Sequence, residues 1–434
     1  MKYLVLIFGI FCLLGGKAVN AQTTGYTQII EGYDYGPAIT KLVLQLETDL
    51  EQEELTNETF AVEATKSYEK FDFETGESED VTESQVIEVI NVYTSDDQGE
   101  QVSDASNFVT LELSVHPDDI FTNPYNYNLN TGKNTDVGIA HQITLAEPLE
   151  GLDAMDFTAD NLVDKVYKGL EGYNTDSFIY EDEIFGTIDL TYTYYEVETD
   201  EAAPLIVLLH GAGEGGTDTR LVLYGNKVVA LTTEEIQAYF DRGAHVLAPQ
   251  TPTMWMDSGE GEYTSDGTSK YSRALQSLIQ EYVESHDNID TDRIYLGGGS
   301  NGGYMTVNLA IENPDYYAAI FPICQAYQSE WIDDDDLEKL LNIPIRFVHA
   351  LNDEVVQFQP TAGDLYDRLV EAGHENVELT TFDNVVDTSG QFVDADGNPY
   401  EYLGHWSWIY LYNDEVANEE GVNFYEWLNA QAKN

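Results

Sequence analysis

The chain has 434 residues, 80 of them acidic and only 18 basic, for a formal charge of −62. A field of that sign and size repels phosphate backbones and anionic lipid, so nucleic acid and membrane surfaces are disfavoured as partners. Two cysteines in the whole chain make no disulfide framework, and the fold has to rest on its hydrophobic core.

In chain order, the first feature is Lys2, an apolar run from Leu4 to Leu14, and small residues at Val19-Asn20-Ala21. This is the pattern of a secretory signal peptide over residues 1–21, with an apolar run shorter than the roughly 20 residues that span a bilayer. The expected product is a soluble secreted or periplasmic protein whose only thiol is Cys324, read as a buried, inert residue. Losing Lys2 and Lys17 would make the charge two units more negative. Self-repulsion of this size fades at about 1 M salt, where the screening length is about 3 Å. A saline habitat and an ordinary acidic secreted protein both fit.

Residues 22–185 read as a β-sandwich. Lys41 to Leu46 and Phe108 to Val115 alternate with period two, and polar connections rich in Asn, Asp and Gly separate such stretches. One segment, Ala159 to Leu170, has helical spacing. His116 and His141 are isolated and read as structural.

Residues 186–434 read as an α/β domain with a mostly parallel, doubly wound sheet. Continuous apolar runs at Pro204–Leu209 and Ala244–Ala248 predict strands, and Arg293–Leu296, Ala318–Pro322, Ile345–Val348 and Val377–Phe382 read as strands as well. Between and after them, Ser272–Ser285, Leu365–Ala372 and a closing segment near 422–430 have helix spacing. Asp333 to Asp336 reads as a solvated loop or a helix start. Asp394-Ala-Asp-Gly-Asn-Pro reads as a hairpin turn, because the glycine and closing glutamate of a calcium loop are missing. No metal site is expected.

Chemistry concentrates in the second region. Gly298-x-Ser300-x-Gly302 lies between a predicted strand and a predicted helix, the context in which a serine nucleophile sits on a strained turn at a helix N-terminus. In this fold class the order is serine, acid, histidine. After Ser300 the histidines are His349, within a strand, His374, at a helix-to-strand connection, and His405, beyond the last predicted strand and favoured as the base. Asp353, just past the strand 345–348, is favoured as the acid, with Glu354, Asp383 and Asp387 as alternatives. The oxyanion of acyl transfer needs backbone donors. Asn301 is one, and Gly211 or Ala212 in the glycine-rich stretch after Leu209 is the other, with His210 shaping that loop. Trp255, in Pro249 to Asp257, either lines a substrate pocket or packs structurally.

The motifs HGAGEGG at 210–216, GGSNGGYM at 298–305, LND at 351–353 and GHWSW at 404–408 resemble secreted esterases with an N-terminal immunoglobulin-like domain and a C-terminal α/β-hydrolase domain. The resemblance implies hydrolysis of a small-molecule or polysaccharide-linked ester, without metal or organic cofactor. Relatives of this type also include predicted peptidases and polyhydroxyalkanoate depolymerases. Trp406 stands where such proteins often carry a small or acidic residue, and joins Trp255 as a substrate-side candidate. A serine peptidase and a catalytically silent binding protein are the competing readings. The oligomeric state is left open.

Overall fold

The computed structural model describes residues 24–72, 75–146 and 148–433, so the expected signal peptide lies outside the described residues. The N-terminal domain is built from a pair of sheets packed face to face. One contains, in spatial order, Leu162–Tyr167, Gly25–Tyr33, Gly36–Leu50, Ser106–Leu113 and Val89–Ser95. The other contains Asp156–Phe157, Ala140–Leu145, Phe60–Asp72 and Glu77–Ile87. Period-two alternation decides which residues meet between them. Val62 and Ala64 are buried while Ala61 and Glu63 are exposed, and the inward pair shares a core with Ile39, Leu42, Leu44 and Leu111.

The segment 159–170 is not the helix its spacing predicts. Ala159–Asn161 is a single 3-10 turn closed by Thr158 and Asn161. Leu162–Tyr167 then runs parallel to the first strand, with Ile29 opposite Val166 and Ile30 opposite Tyr167. A short stretch with β-branched Val163 and Val166 gains more from an open sheet edge than from a helix too short to stand alone.

The second domain is one eight-stranded sheet. Its strands are β1 (Tyr173–Asp182), β2 (Gly186–Tyr195), β3 (Ala203–Leu209), β4 (His245–Gln250), β5 (Ile289–Gly299), β6 (Ala319–Ile323), β7 (Ile345–Ala350) and β8 (Val377–Phe382). Their order is β1-β2-β4-β3-β5-β6-β7-β8. β2 is antiparallel to both neighbours, and every other pairing is parallel. The sequence boundary at 185/186 therefore needs correction: β1 already belongs to this sheet, and the changeover falls between Tyr167 and Tyr173. β1 is exposed along most of its length, which gives it the texture of a sandwich strand.

The central strands are buried on both faces. Leu205, Val207 and Leu209 pack with Ala274 and Leu278 of the helix Ser272–Ser285, while Ile206 and Leu208 pack on the other side with Phe424 and Leu428 of the helix Phe424–Asn429. That double coverage is why these strands read as unbroken apolar runs. It also leaves the carboxyl ends of β3, β5 and β7 as the free edge from which loops emerge, the place where open α/β sheets hold their ligands. Among the described residues no helix is long and apolar enough to cross a membrane.

Candidate active site

β5 ends at Gly299, and Ser300 turns the chain sharply into the helix Asn301–Glu312 with φ 57 and ψ −113. A non-glycine residue in that region is strained by about 1–3 kcal/mol, and the surroundings have to hold it there. Here the Ser300 N–H donates to Ile323 O at 2.9 Å, and Ser300 O accepts from the Tyr304 N–H at 2.9 Å. A Cβ on Gly298 or Gly302 would collide with the Leu209 carbonyl at the end of β3. The two glycines that mark the motif are thus the ones the neighbouring strand demands.

Asp353 follows β7 by three residues and is 5% exposed. Its Oδ1 accepts from the amides of Val355 at 2.8 Å and Val356 at 2.9 Å. Its Oδ2 accepts from His405 Nδ1 at 2.8 Å. Burial pushes this carboxyl up, but hydrogen bonds from His349 and His405, the His405 charge and the Val356 amide outweigh it and hold it well below the usual range. It is therefore a carboxylate, an acceptor only, and His405 presents Nε2 as its free acceptor, the tautomer a general base requires. His405 sits on the 3-10 turn Gly404–Trp406.

Two further groups complete this cluster. His349 Nε2 lies 3.4 Å from Asp353 Oδ2 and donates to Val356 O at 2.9 Å, which fixes the acid's loop. Sequence reasoning placed His349 in its strand but not this contact. Cys324 is buried, and its sulfur, an Asp353 oxygen and a His405 nitrogen all lie within 4.8 Å of one another. Burial holds the thiol well above its usual range, with the Asp353 charge adding to it and the Ser300 backbone and Ser407 hydroxyl opposing. The thiol is therefore held protonated beside the acid and the base.

The loop after β3 holds the remaining candidates. His210 Nε2 accepts from the Thr251 amide at 3.2 Å, and burial pushes its pKa down to about 4, so it is a neutral prop. The Gly211 N–H is directed at Asn226 Oδ1, 3.4 Å away. Ala212 opens the 3-10 turn Ala212–Glu214 and Asn301 opens its helix, positions whose N–H groups have no acceptor within the helix. Trp255 corrects an expectation. It is fully buried, its Nε1 donates to His210 O at 3.1 Å, and its ring lies 4.9 Å from the His210 ring. An indole that donates inward supports the loop from behind and does not line a pocket.

Ser300, Asn301, Gly211, Ala212 and His405 all border one cavity of about 1230 Å³, and half-buried Trp406 stands in its wall. The N-terminal domain supplies some of the lining, which the sequence did not reveal: Tyr35, Tyr125, Tyr127, Leu129 and Asn134. Most of these belong to a hairpin in which Tyr125–Asn128 pairs with Lys133–Asp136. The Lys66 ammonium anchors its root, donating to the carbonyls of Ile120, Asn123 and Tyr125 at 3.2, 2.8 and 2.8 Å. Asn and Gly residues mark the turn in sequence, but nothing local tells that it leans over a loop 80 residues later.

Residues 25–154 match the family model of the esterase Ig-like N-terminal domain, and residues 192–391 match that of phospholipase/carboxylesterase. Among solved structures, a thermostable esterase is 24% identical with a TM-score of 0.71, over 94% of this chain and 99% of that one. A ferulic acid esterase is 13% identical with a TM-score of 0.37, over 49% of this chain and 90% of its own. An acylaminoacyl peptidase of Pyrococcus horikoshii is 17% identical with a TM-score of 0.36, over 57% and 44%. No curated protein sequence matches this chain. The chain thus joins an esterase immunoglobulin-like domain to a carboxylesterase domain of the α/β-hydrolase fold.

Proposed function

We propose that the protein is an exported esterase that cleaves bulky, uncharged carboxylic esters through an acyl-enzyme on Ser300. In the first half-reaction Ser300 Oγ attacks the ester carbonyl carbon and His405 Nε2 takes its proton. The negative charge that develops on the carbonyl oxygen is met by the N–H groups of Asn301 and Ala212. Ala212 is preferred over Gly211, whose N–H is directed at Asn226. The tetrahedral adduct collapses, the C–O bond breaks, and His405 returns the proton to the departing alcohol. In the second half-reaction a water gives its proton to His405 and its oxygen to the acyl carbon; the acid leaves and Ser300 regains its hydrogen. Asp353 keeps the imidazole in the working tautomer throughout.

The observation that carries this reading is the 2.8 Å bond from His405 Nδ1 to the buried Asp353 carboxylate, on the wall of the cavity that Ser300 borders. The substrate class follows from that cavity. Its volume of about 1230 Å³ exceeds the roughly 300–1,000 Å³ of ordinary small-molecule sites. Tyr127, Tyr263 and Trp406 put aromatic side chains in its lining, and Glu354 and Glu401 at its border repel anions. Aryl esters, including those attached to sugars, fit this lining. Export rests on the residue pattern at 1–21 alone.

Steady-state rates on matched aryl esters and aryl amides, with acetyl and larger acyl groups, test the proposal. Turnover of the esters, strongest for bulky neutral ones and lost in Ser300→Ala, is the expected result. Preference for amides would favour a peptidase, and no turnover by folded protein would favour a binding role.

A further inference from the structure

The loop that carries Ala212 also carries a buried acid with no role in the reaction above. Glu214 closes the turn Ala212–Glu214 and is 4% exposed. Gly225 makes room for it, since a Cβ there would lie 2.8 Å from Glu214 Cγ. The turn is poorly held by its own backbone: Glu214 N to Gly211 O and Gly215 N to Ala212 O are both 3.5 Å, at the weak end of hydrogen bonding. Its position depends on outside contacts.

One of these comes from the other domain. Glu214 Oε1 accepts from Asn134 Nδ2 at 2.9 Å, and Asn134 lies on the hairpin of the immunoglobulin-like domain. The contact is broader than a single bond, because a Cβ at Gly213 would lie 3.0 Å from the same nitrogen and 3.4 Å from the Tyr127 ring. Lys133 Nζ ties the hairpin to Pro252 O at 2.8 Å, on the loop that places Trp255 behind His210.

We infer that Asn134 and Glu214 are positioning residues, through which the immunoglobulin-like domain holds the Ala212 amide where the oxyanion forms. The inference rests on the reading of Ala212 as an oxyanion donor. A donor held in advance is worth far more in the transition state than one that must be ordered there, and a displacement of about 1 Å is enough to lose much of it.

The test uses the full chain, p-nitrophenyl acetate as substrate and an aryl trifluoromethyl ketone, which adds to the serine and leaves an oxyanion in the hole. Fluorophosphonate labelling counts active sites, so that kcat is expressed per competent serine. In Asn134→Ala, kcat is expected to fall roughly tenfold or more, with KM within about twofold and ketone affinity reduced in step with kcat. Asn134→Ser, too short to reach Glu214 but still polar, should behave alike and provides a second variant if the first folds poorly. Glu214→Gln, which keeps an oxygen for Asn134, should retain more activity than Glu214→Ala. Unchanged kcat and ketone affinity per labelled site, or a rise in KM alone, would overturn the coupling while leaving the Ser300 reading intact. A wild type that takes no label would overturn the Ser300 reading, and this inference with it.

Discussion

The two domains meet across one cavity and hold their side chains by different means. On the hydrolase side, Ser300, Asp353 and His405 stand on short turns at the edge of a sheet buried on both faces, with backbone amides and carbonyls fixing each turn. On the immunoglobulin-like side, Tyr127 and Leu129 stand on a hairpin and are 51% and 45% exposed. On the proposed reading, the reacting groups sit where packing over-determines the backbone, and the hairpin supplies shape around them. Among the contacts between the two domains, the Asn134 to Glu214 hydrogen bond reaches the loop that carries Ala212.

Substitutions on the two sides should therefore differ in kind. The largest effect is expected at the acid: Asp353→Asn keeps the shape but imposes the wrong imidazole tautomer, and kcat should drop by roughly ten-thousandfold with KM little changed, as read by steady-state kinetics. Next comes the oxyanion hole. Ala212→Pro removes the proposed N–H at the first position of its turn, where proline is tolerated and where Gly211, at φ −69 and ψ 177, already has the extended backbone that a following proline requires. It should lower kcat roughly a hundredfold while the circular dichroism and unfolding midpoint stay near wild type. On the hairpin, Tyr127→Ala should raise KM a few-fold for bulky aryl esters and leave acetyl esters alone. A matching fall in kcat for both would erase the distinction between the sides.

The smallest expected effect concerns pH. Burial pushes the Glu214 carboxyl from its ordinary 4.5 up to about 7, against bonds from Asn134 and nearby amides. Between those values the folded protein keeps a proton that the unfolded chain has released, so this residue makes stability fall as pH rises through that window. Urea midpoints taken at about pH 5 and about pH 7.5 should show a smaller fall in Glu214→Gln than in the wild type.

Much of the hydrolase domain was legible because its signals are local. The strand Val377–Phe382 and the helix Ser272–Ser285 begin and end at the residues expected from the sequence. The elbow could be read because glycines at 298 and 302 answer a steric demand that is the same wherever this turn occurs. Chain order and their places after strands led to the expectation that Asp353 and His405 pair, and they lie 2.8 Å apart. What escaped depends on distant partners. Trp255 has the composition of a pocket residue, and only the His210 carbonyl behind it turns the indole inward. Leu162–Tyr167 becomes a strand because the first strand offers it an edge. Glu214 looks like one more acid in an acidic chain until Asn134, 80 residues earlier, is seen beside it.

Whether Ser300 is a nucleophile activated by His405 is read most plainly by mass spectrometry of the fluorophosphonate-treated protein. One adduct is expected, mapped to the peptide containing Ser300, absent from Ser300→Ala and formed far more slowly in His405→Ala. An adduct on another residue, or undiminished labelling without His405, would contradict it.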